Sequence, residues 1–256
     1  LKGRPVSRLM SALGVQASVL GNHDFDFGTE NIRQWERIGG FPFLAANLQE
    51  KKTGDCPDFA QPAVVLNLGD KKVLVIGLAL PERLDTADRP REMEAYTLSD
   101  SGESVACVRR IQKEYEGKVN AVVALTHYGL RFHDGTGEPV GQELLELCAG
   151  APQLDGVFAA HLHQFMALRI NGVAVAEGGS NGRGFAWLKL SFDDGGRLAE
   201  VTPGYEDLRE TQIIPDKEIA AIWEESQAEA MKELGRSIAY LDRPVMHRDK
   251  HTFEVD

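Results

Sequence analysis

Cysteine is scarce in this 256-residue sequence: Cys56, Cys107 and Cys148 stand far apart, with no C-x-x-C pair. That excludes a cysteine-based zinc spacing and leaves the redox compartment open. Cys107 and Cys148 fall in apolar helical patterns and read as core residues. No apolar run approaches the ~18 residues of a membrane-spanning helix. The longest, VLVIGLALP, has the length of a strand. Positive charge is short as well: 28 Lys and Arg against 39 Asp and Glu leave a net charge of −11. A broad basic face for polymeric nucleic acid is therefore not expected. A small anionic substrate is still admissible, because a bound cation would dominate the local field. A helical HExxH signature, internal repeats and low-complexity tracts are all missing.

What is present is an ordinary globular composition, 43% hydrophobic and 26% charged, which can bury a core without disulfides. The length suits one large domain, or one domain and a piece of another. The chain opens on Leu1 without a basic-then-apolar leader and closes on HTFEVD soon after a long helix. It reads as a segment of something longer.

Strand and helix patterns alternate early, and hairpins dominate late. PVSRLMSALG is helical, with Pro5 in the first turn. VQASVL is a strand, GNHDFDFG a polar loop, and the next helix opens at Thr29 and Glu30. FPFLAANL is a strand, and AVVLNLGDKKVLVIGLAL is two strands about a Gly69–Asp70 turn. TADRPREMEAYTLSDSG reads as a loop. Ser101 is placed to cap a helix over GESVACVRRIQKEYEG that Gly117 stops. The strand NAVVALTH, a glycine-rich loop, the helix QELLELCAG and the strand DGVFAAHLH follow. Asn171-Gly172 marks a hairpin, GFAWLKLSFDDGGRLAEVTP gives two more strands, and an amphipathic helix ends at Gly235. The class is β-rich α/β.

Chemistry concentrates at strand ends. Residues 21–28 place Asn22, His23, Asp24 and Asp26 between two glycines, directly after an apolar strand. His127, His161 and His163 also end apolar strands, whereas His133, His247 and His251 lie in polar loops or the tail. Strand ends converge on one sheet edge, so His23, His127, His161 and His163 can meet in space. A single strand-end histidine is usually a loop residue bonded to backbone, GNHD alone can be a turn, and HLH alone follows from strand geometry. Their coincidence at successive strand ends is what points to a site. Imidazoles with Asn and carboxylates suit Mn, Fe, Ni or Zn better than Ca.

These motifs, GNHDFDFG, ALTHYG and DGVFAAHLHQ followed by NGVAVAEGGSNGRGFAWLKLSF, resemble the bacterial 5′-nucleotidase group of the calcineurin-like metallophosphoesterases. The likeness runs from Leu1 to about Pro203. It implies a four-layer αββα sandwich over residues 1–210, lacking its first strand or strands. Residues 211–256 would be a linker helix and the start of a C-terminal nucleotide-binding domain. It further implies two divalent metal ions (Mn, Zn, Fe, Ni or Co) at the strand ends of the complete protein. Asn22, His127 and His161 would serve one ion and His163 the other. His23, paired with Asp26, would stand beside the phosphate rather than bind metal. A carboxylate three residues on can fix that imidazole's tautomer. The implied chemistry is in-line attack of a metal-bound hydroxide on a nucleotide phosphate. Related metallohydrolases, acting on cyclic nucleotides, sugar nucleotides or thiosulfate esters, share the motifs. A non-catalytic interaction module is the reading of a different class. Substrate-contacting residues, base preference and oligomeric state are not legible. The resemblance places the protein in the periplasm or outside the cell.

Two departures bear on these expectations. Ala160 stands where the family's G-H-x-H motif has glycine, and the Asp-x-His and Gly-Asp motifs that the family carries ahead of its GNHD loop are absent there, since no Asp precedes Asp24 and His23 is the first histidine. The chain by itself is therefore expected to hold at most one metal ion weakly, to be inactive alone, and to self-associate through an unpaired sheet edge.

Overall fold

The computed structural model of the protein describes residues 1–209, 214–235, 240, 246–249 and 252–254. In chain order the elements are α1 (Arg4–Ala12), β1 (Ser18–Val19), α2 (Thr29–Gly39), β2 (Phe43–Leu44), β3 (Leu48–Glu50), β4 (Ala63–Leu68), β5 (Lys71–Leu78) and β6 (Tyr96–Leu98). They continue with α3 (Ser101–Glu114), β7 (Ala121–Thr126), β8 (Arg131–Phe132), β9 (Pro139–Val140), α4 (Gln142–Gly150), β10 (Gly156–Phe158), β11 (Phe165–Ile170) and β12 (Val173–Gly178). The last are β13 (Gly184–Phe192), β14 (Leu198–Asp207), α5 (Lys217–Leu234), β15 (Met246–Asp249) and β16 (Thr252–Glu254).

A mixed six-stranded sheet in the order β11-β12-β10-β7-β5-β4 forms the centre. The four inner strands are parallel, and β4 and β11 are antiparallel edges made by hairpins. Inner strands are covered on both faces, which is why β5 and β7 are almost continuously apolar. One face packs α3 and α4 through Val108, Ile111, Leu144, Leu147 and Cys148. On the other face Val73, Val75, Ala121 and Val123 meet Leu44 and the partly buried Leu188, Leu190 and Leu198 of the β13–β14 hairpin. The parallel β1–β2 pair sends Leu44 into that layer and Phe43 the opposite way, into a cluster with Ile32 and Trp35 of α2. The alternation of side chains along β2 thus joins two layers. The layer sequence is helix, sheet, strand pairs, helix, as the four-layer expectation requires. The expectation of an α/β metallophosphoesterase sandwich is met at this level.

Helix α5 lies against α1, with Arg4–Glu229 and Arg8–Glu225 ion pairs at 3.2 and 2.8 Å. Among the described strands, β1 pairs only with β2.

Several local expectations are corrected. Asp100, not Ser101, caps α3: its extended backbone lets Oδ1 accept the Glu103 N–H at 2.8 Å. Ser101 is the first helical residue and donates its hydroxyl to Glu146 on α4. The strand expected over residues 15–20 shrinks to Ser18–Val19, and that over 155–163 to Gly156–Phe158. The segment read as a loop over 86–102 contains β6, which pairs antiparallel with β3. The Asn171-Gly172 turn is as expected, with φ of 50° and 87° at its two residues.

Candidate metal centre

Strands β5, β7, β10 and β12 run parallel, so their C-terminal ends share one edge. His127 follows β7 there and is tied to β5 by its N–H on the Leu78 carbonyl at 2.9 Å. The 21–28 loop arrives at the same edge from β1 as a turn of 3-10 helix over Asn22–Phe25. Phe25 is fully buried and anchors it. Asp24 turns inward, accepting the Gly21 N–H at 2.7 Å, and burial pushes its carboxyl up to about 6. Of the two aspartates in this motif, Asp24 therefore serves the loop's own shape.

Asp26 faces out and meets His23, with Nδ1 to Oδ2 at 2.9 Å. The His23 side chain is 84% exposed, so its Nε2 edge is open to solvent. Asn22 points the other way. Its Oδ1 lies 3.0 Å from His127 Nε2. The His127 and His161 rings are 5.2 Å apart, centroid to centroid. Burial first, and then the neighbouring His161, His23 and His163, pull the His127 pKa down to about 4. His127 is therefore neutral near pH 7, the state in which imidazole offers a lone pair to a metal. All four histidines singled out in the sequence gather at this edge. His133 sits apart in an exposed turn, where its Nδ1 accepts the Gly135 N–H, and His251 lies outside the described residues.

The HLH segment is not a strand. His161 and His163 have left-handed backbones, φ 73° and 59°, an uncommon state for a non-glycine residue and one enriched at functional sites. Ala160 needs no such backbone, so its methyl group is accommodated in place of the family's glycine. The turn is held by Gln164 N–H on Glu177 Oε1 at 2.9 Å and by Ala160 N–H on the Tyr128 carbonyl at 2.9 Å. Glu177 is buried at the end of β12. Its Oε2 has no hydrogen-bond partner, and burial raises its carboxyl to about 7.

The donor chemistry fits one divalent ion: a neutral amide oxygen and two imidazoles, one already neutral. It does not fit a pair. Among the described residues no group of three or more His, Cys, Asp and Glu side chains is gathered as a metal site, and no carboxylate joins the cluster as a bridge. A cavity of about 660 Å³ lined by Gln112, Tyr115, Asn120 and Asp155 opens at the opposite edge, where β7 and β10 begin. At the histidine edge, His23 and His163 are exposed and His127 and His161 are half-buried.

Sequence reading missed three side chains that shape this edge: Arg89, Glu92 and Glu177. Arg89 Nη1 donates to the Asn22 carbonyl, and Glu92 Oε1 accepts the Thr29 N–H. No periodicity or motif marks Arg89 or Glu92; Glu177 lies inside the NGVAVAEGGSNGRG stretch, but nothing in that pattern assigns it a role.

The family model for calcineurin-like phosphoesterases matches residues 4–165. A snake venom 5′-nucleotidase from Naja atra is 28% identical over 265 residues, covering 94% of this chain and 47% of that protein. The calcineurin-like phosphoesterase YfkN of Bacillus subtilis superposes with a TM-score of 0.74 at 20% identity, over 91% of this chain and 75% of that one. A 5′-nucleotidase precursor from Thermus thermophilus gives a TM-score of 0.70 at 19% identity, over 93% of this chain and 47% of that one. The chain spans about half the length of the curated relatives it matches.

Proposed function

The chain belongs to the calcineurin-like phosphoesterase family, and on that premise we propose that the complete protein is a metal-dependent phosphohydrolase that removes phosphate from nucleotides. The observation that carries the proposal is the pairing of two differently oriented neighbours. Asn22 turns inward to His127, while His23 turns outward on Asp26. One short loop thus contributes to a half-buried pair of donors and, one residue on, to an open face for substrate.

Asn22, His127 and His161 are the residues that would hold one divalent ion, and His163 would contribute to a second in the complete protein. Such ions supply Lewis-acid polarisation of phosphoryl oxygens. The family typically uses divalent metals. The remaining chemistry falls to this chain's own groups. Asp26 accepts the Nδ1–H of His23, which leaves Nε2 to meet the phosphoryl or leaving-group oxygen. In its protonated form that Nε2–H donates to the developing negative charge. Residues 1–210 form the catalytic unit in this reading. In the same reading helix α5 is a linker that leads toward a C-terminal nucleotide-binding domain. The venom relatives favour a site of action outside the cytoplasm. No described helix is long and apolar enough to cross a membrane.

The test is phosphate release by the complete natural protein from nucleoside 5′-monophosphates, with and without a chelator. A panel of cyclic nucleotides, sugar nucleotides and a thiosulfate ester completes it. Release from monophosphates that stops on chelation and is lost in His23→Ala is the expected result. Turnover confined to another member of the panel would move the substrate. Turnover of none, with metal bound, would support the non-catalytic module instead.

A further inference from the structure

The segment after β5 grips the Asn22–His23 loop at both ends. Arg89 reaches it across 67 positions and donates Nη1–H to the Asn22 carbonyl at 3.0 Å. Its Nη2 donates to Glu82 Oε1 at 2.6 Å, and its guanidinium lies 5.8 Å from the centre of the Phe25 ring. The Arg89 side chain is 7% exposed, against 27% for Glu82. A guanidinium is not buried to that extent without partners for its charge and its N–H groups. Here the partners are one carboxylate, one aromatic face and the backbone of the residue that faces His127. At the far end Glu92 Oε1 accepts the Thr29 N–H at 2.7 Å, closing the start of α2. Its carboxylate would stand 2.4 Å from any Cβ at Gly28, whose φ is 80°. The 21–28 loop is therefore fixed from outside, at the Asn22–His23 and Gly28–Thr29 peptide groups.

We infer that Arg89, braced by Glu82, is a positioning residue for the site: it sets the backbone at Asn22, and through it the aim of the Asn22 amide and the His23 ring. The inference rests on the metal-site reading of Asn22, not on the identity of the substrate. Arg89 touches neither metal nor phosphate in this role. Both of its terminal nitrogens are committed, to Glu82 and to a carbonyl. A lysine has a single ammonium on a flexible stem and cannot reproduce that fork. Outer partners that orient metal ligands typically carry 10–100-fold in affinity or activity.

The test uses the complete natural protein and Mn²⁺ as probe. Titration calorimetry, thermal melting and steady-state phosphate release are measured for the wild type, Arg89→Met, Arg89→Lys, Glu82→Gln and Asn22→Ala. Arg89→Met keeps the packing on Phe25 and removes the donors. It should weaken Mn²⁺ binding about 10–100-fold and lower kcat more than it raises KM. Arg89→Lys should recover part of the loss, and Glu82→Gln should lose only a few-fold, since its amide oxygen still accepts. Should Arg89→Met fail to fold, Arg89→Lys and Glu82→Gln decide by the same readouts. A variant set that melts lower yet binds Mn²⁺ as the wild type does would make Arg89 a brace of the fold and overturn the inference. Unchanged Mn²⁺ affinity in Asn22→Ala would overturn the metal-site reading, and the inference with it. Metal-dependent affinities that behave as expected, without any nucleotide turnover, would support the inference while removing the nucleotidase reading.

Discussion

Gly21 lies flat against the imidazole of His127: a Cβ at Gly21 would stand 2.9 Å from His127 Cε1 and 3.1 Å from Nδ1. The backbone at Gly21 is ordinary, φ −93°, so it is space and not conformation that requires glycine there. Gly21→Ala should therefore push His127 away from Asn22. The expected cost is about 1–3 kcal/mol of stability, the usual range for overpacking, together with weaker Mn²⁺ binding. Chemical denaturation and calorimetry measure the two. Wild-type metal affinity in Gly21→Ala would show that the His127–Asn22 contact is not part of the site.

His23 and Asp26 should separate chemistry from metal binding. In the complete protein His23→Ala should lower turnover by roughly 10²–10⁴ with metal content unchanged, because its ring faces solvent rather than the donor cluster. Asp26→Asn should do less harm, since it orients the ring. Elemental analysis beside the rate assay checks both. Loss of metal from His23→Ala, with His127→Ala fully loaded, would exchange the two roles.

The 256-residue chain by itself should bind no more than one Mn²⁺ and release phosphate from nucleoside monophosphates negligibly. Its described donors amount to one amide oxygen and two imidazoles around His127, with His163 beside them and no bridging carboxylate. Calorimetric stoichiometry and a phosphate-release assay on the purified chain decide it. Two tight ions per chain would mean that other side chains complete the pair.

Asp155 offers a pH test away from the site. Burial raises its pKa above the ordinary value of 3.8, although its Oδ2 accepts the Val122 N–H at 2.7 Å. Above pH 3.8 the unfolded chain releases this proton sooner than the folded one. The folded state then holds more protons, and stability falls as pH rises toward the folded pKa. Asp155→Asn keeps an acceptor for Val122 and removes the charge. It should melt higher than the wild type at pH 7, with the gap closing near pH 3.5. A constant gap across that range would show that Asp155 does not titrate on folding.

Much of the edge was legible because local pattern and topology coincide. Apolar runs gave β5 and β7, the alternation of strands and helices gave parallel order, and parallel order puts His127 on the same edge as the 21–28 loop. The Asn171-Gly172 turn needed only its own two residues. The histidines of HLH were found for an incomplete reason. They were expected at the end of a strand, whereas β10 stops at Phe158 and both sit in left-handed turns that Glu177 helps to pin. The alternation rule does not apply to such a turn, so the direction in which each ring faces could not be taken from spacing.

The sequence by itself determined the class of fold, the loop that carries Asn22, His23 and Asp26, and the set of histidines that gather. Those features depend on neighbours along the chain and on strand order. Only the tertiary structure decided that Asp24 turns inward onto the Gly21 N–H, and that Asp100 rather than Ser101 caps α3. It alone decided that Arg89 and Glu92 hold the ends of a loop more than 60 positions away. Those outcomes turn on which polar groups are stranded when layers close over them, and a buried donor or acceptor takes whatever partner the packing brings within reach.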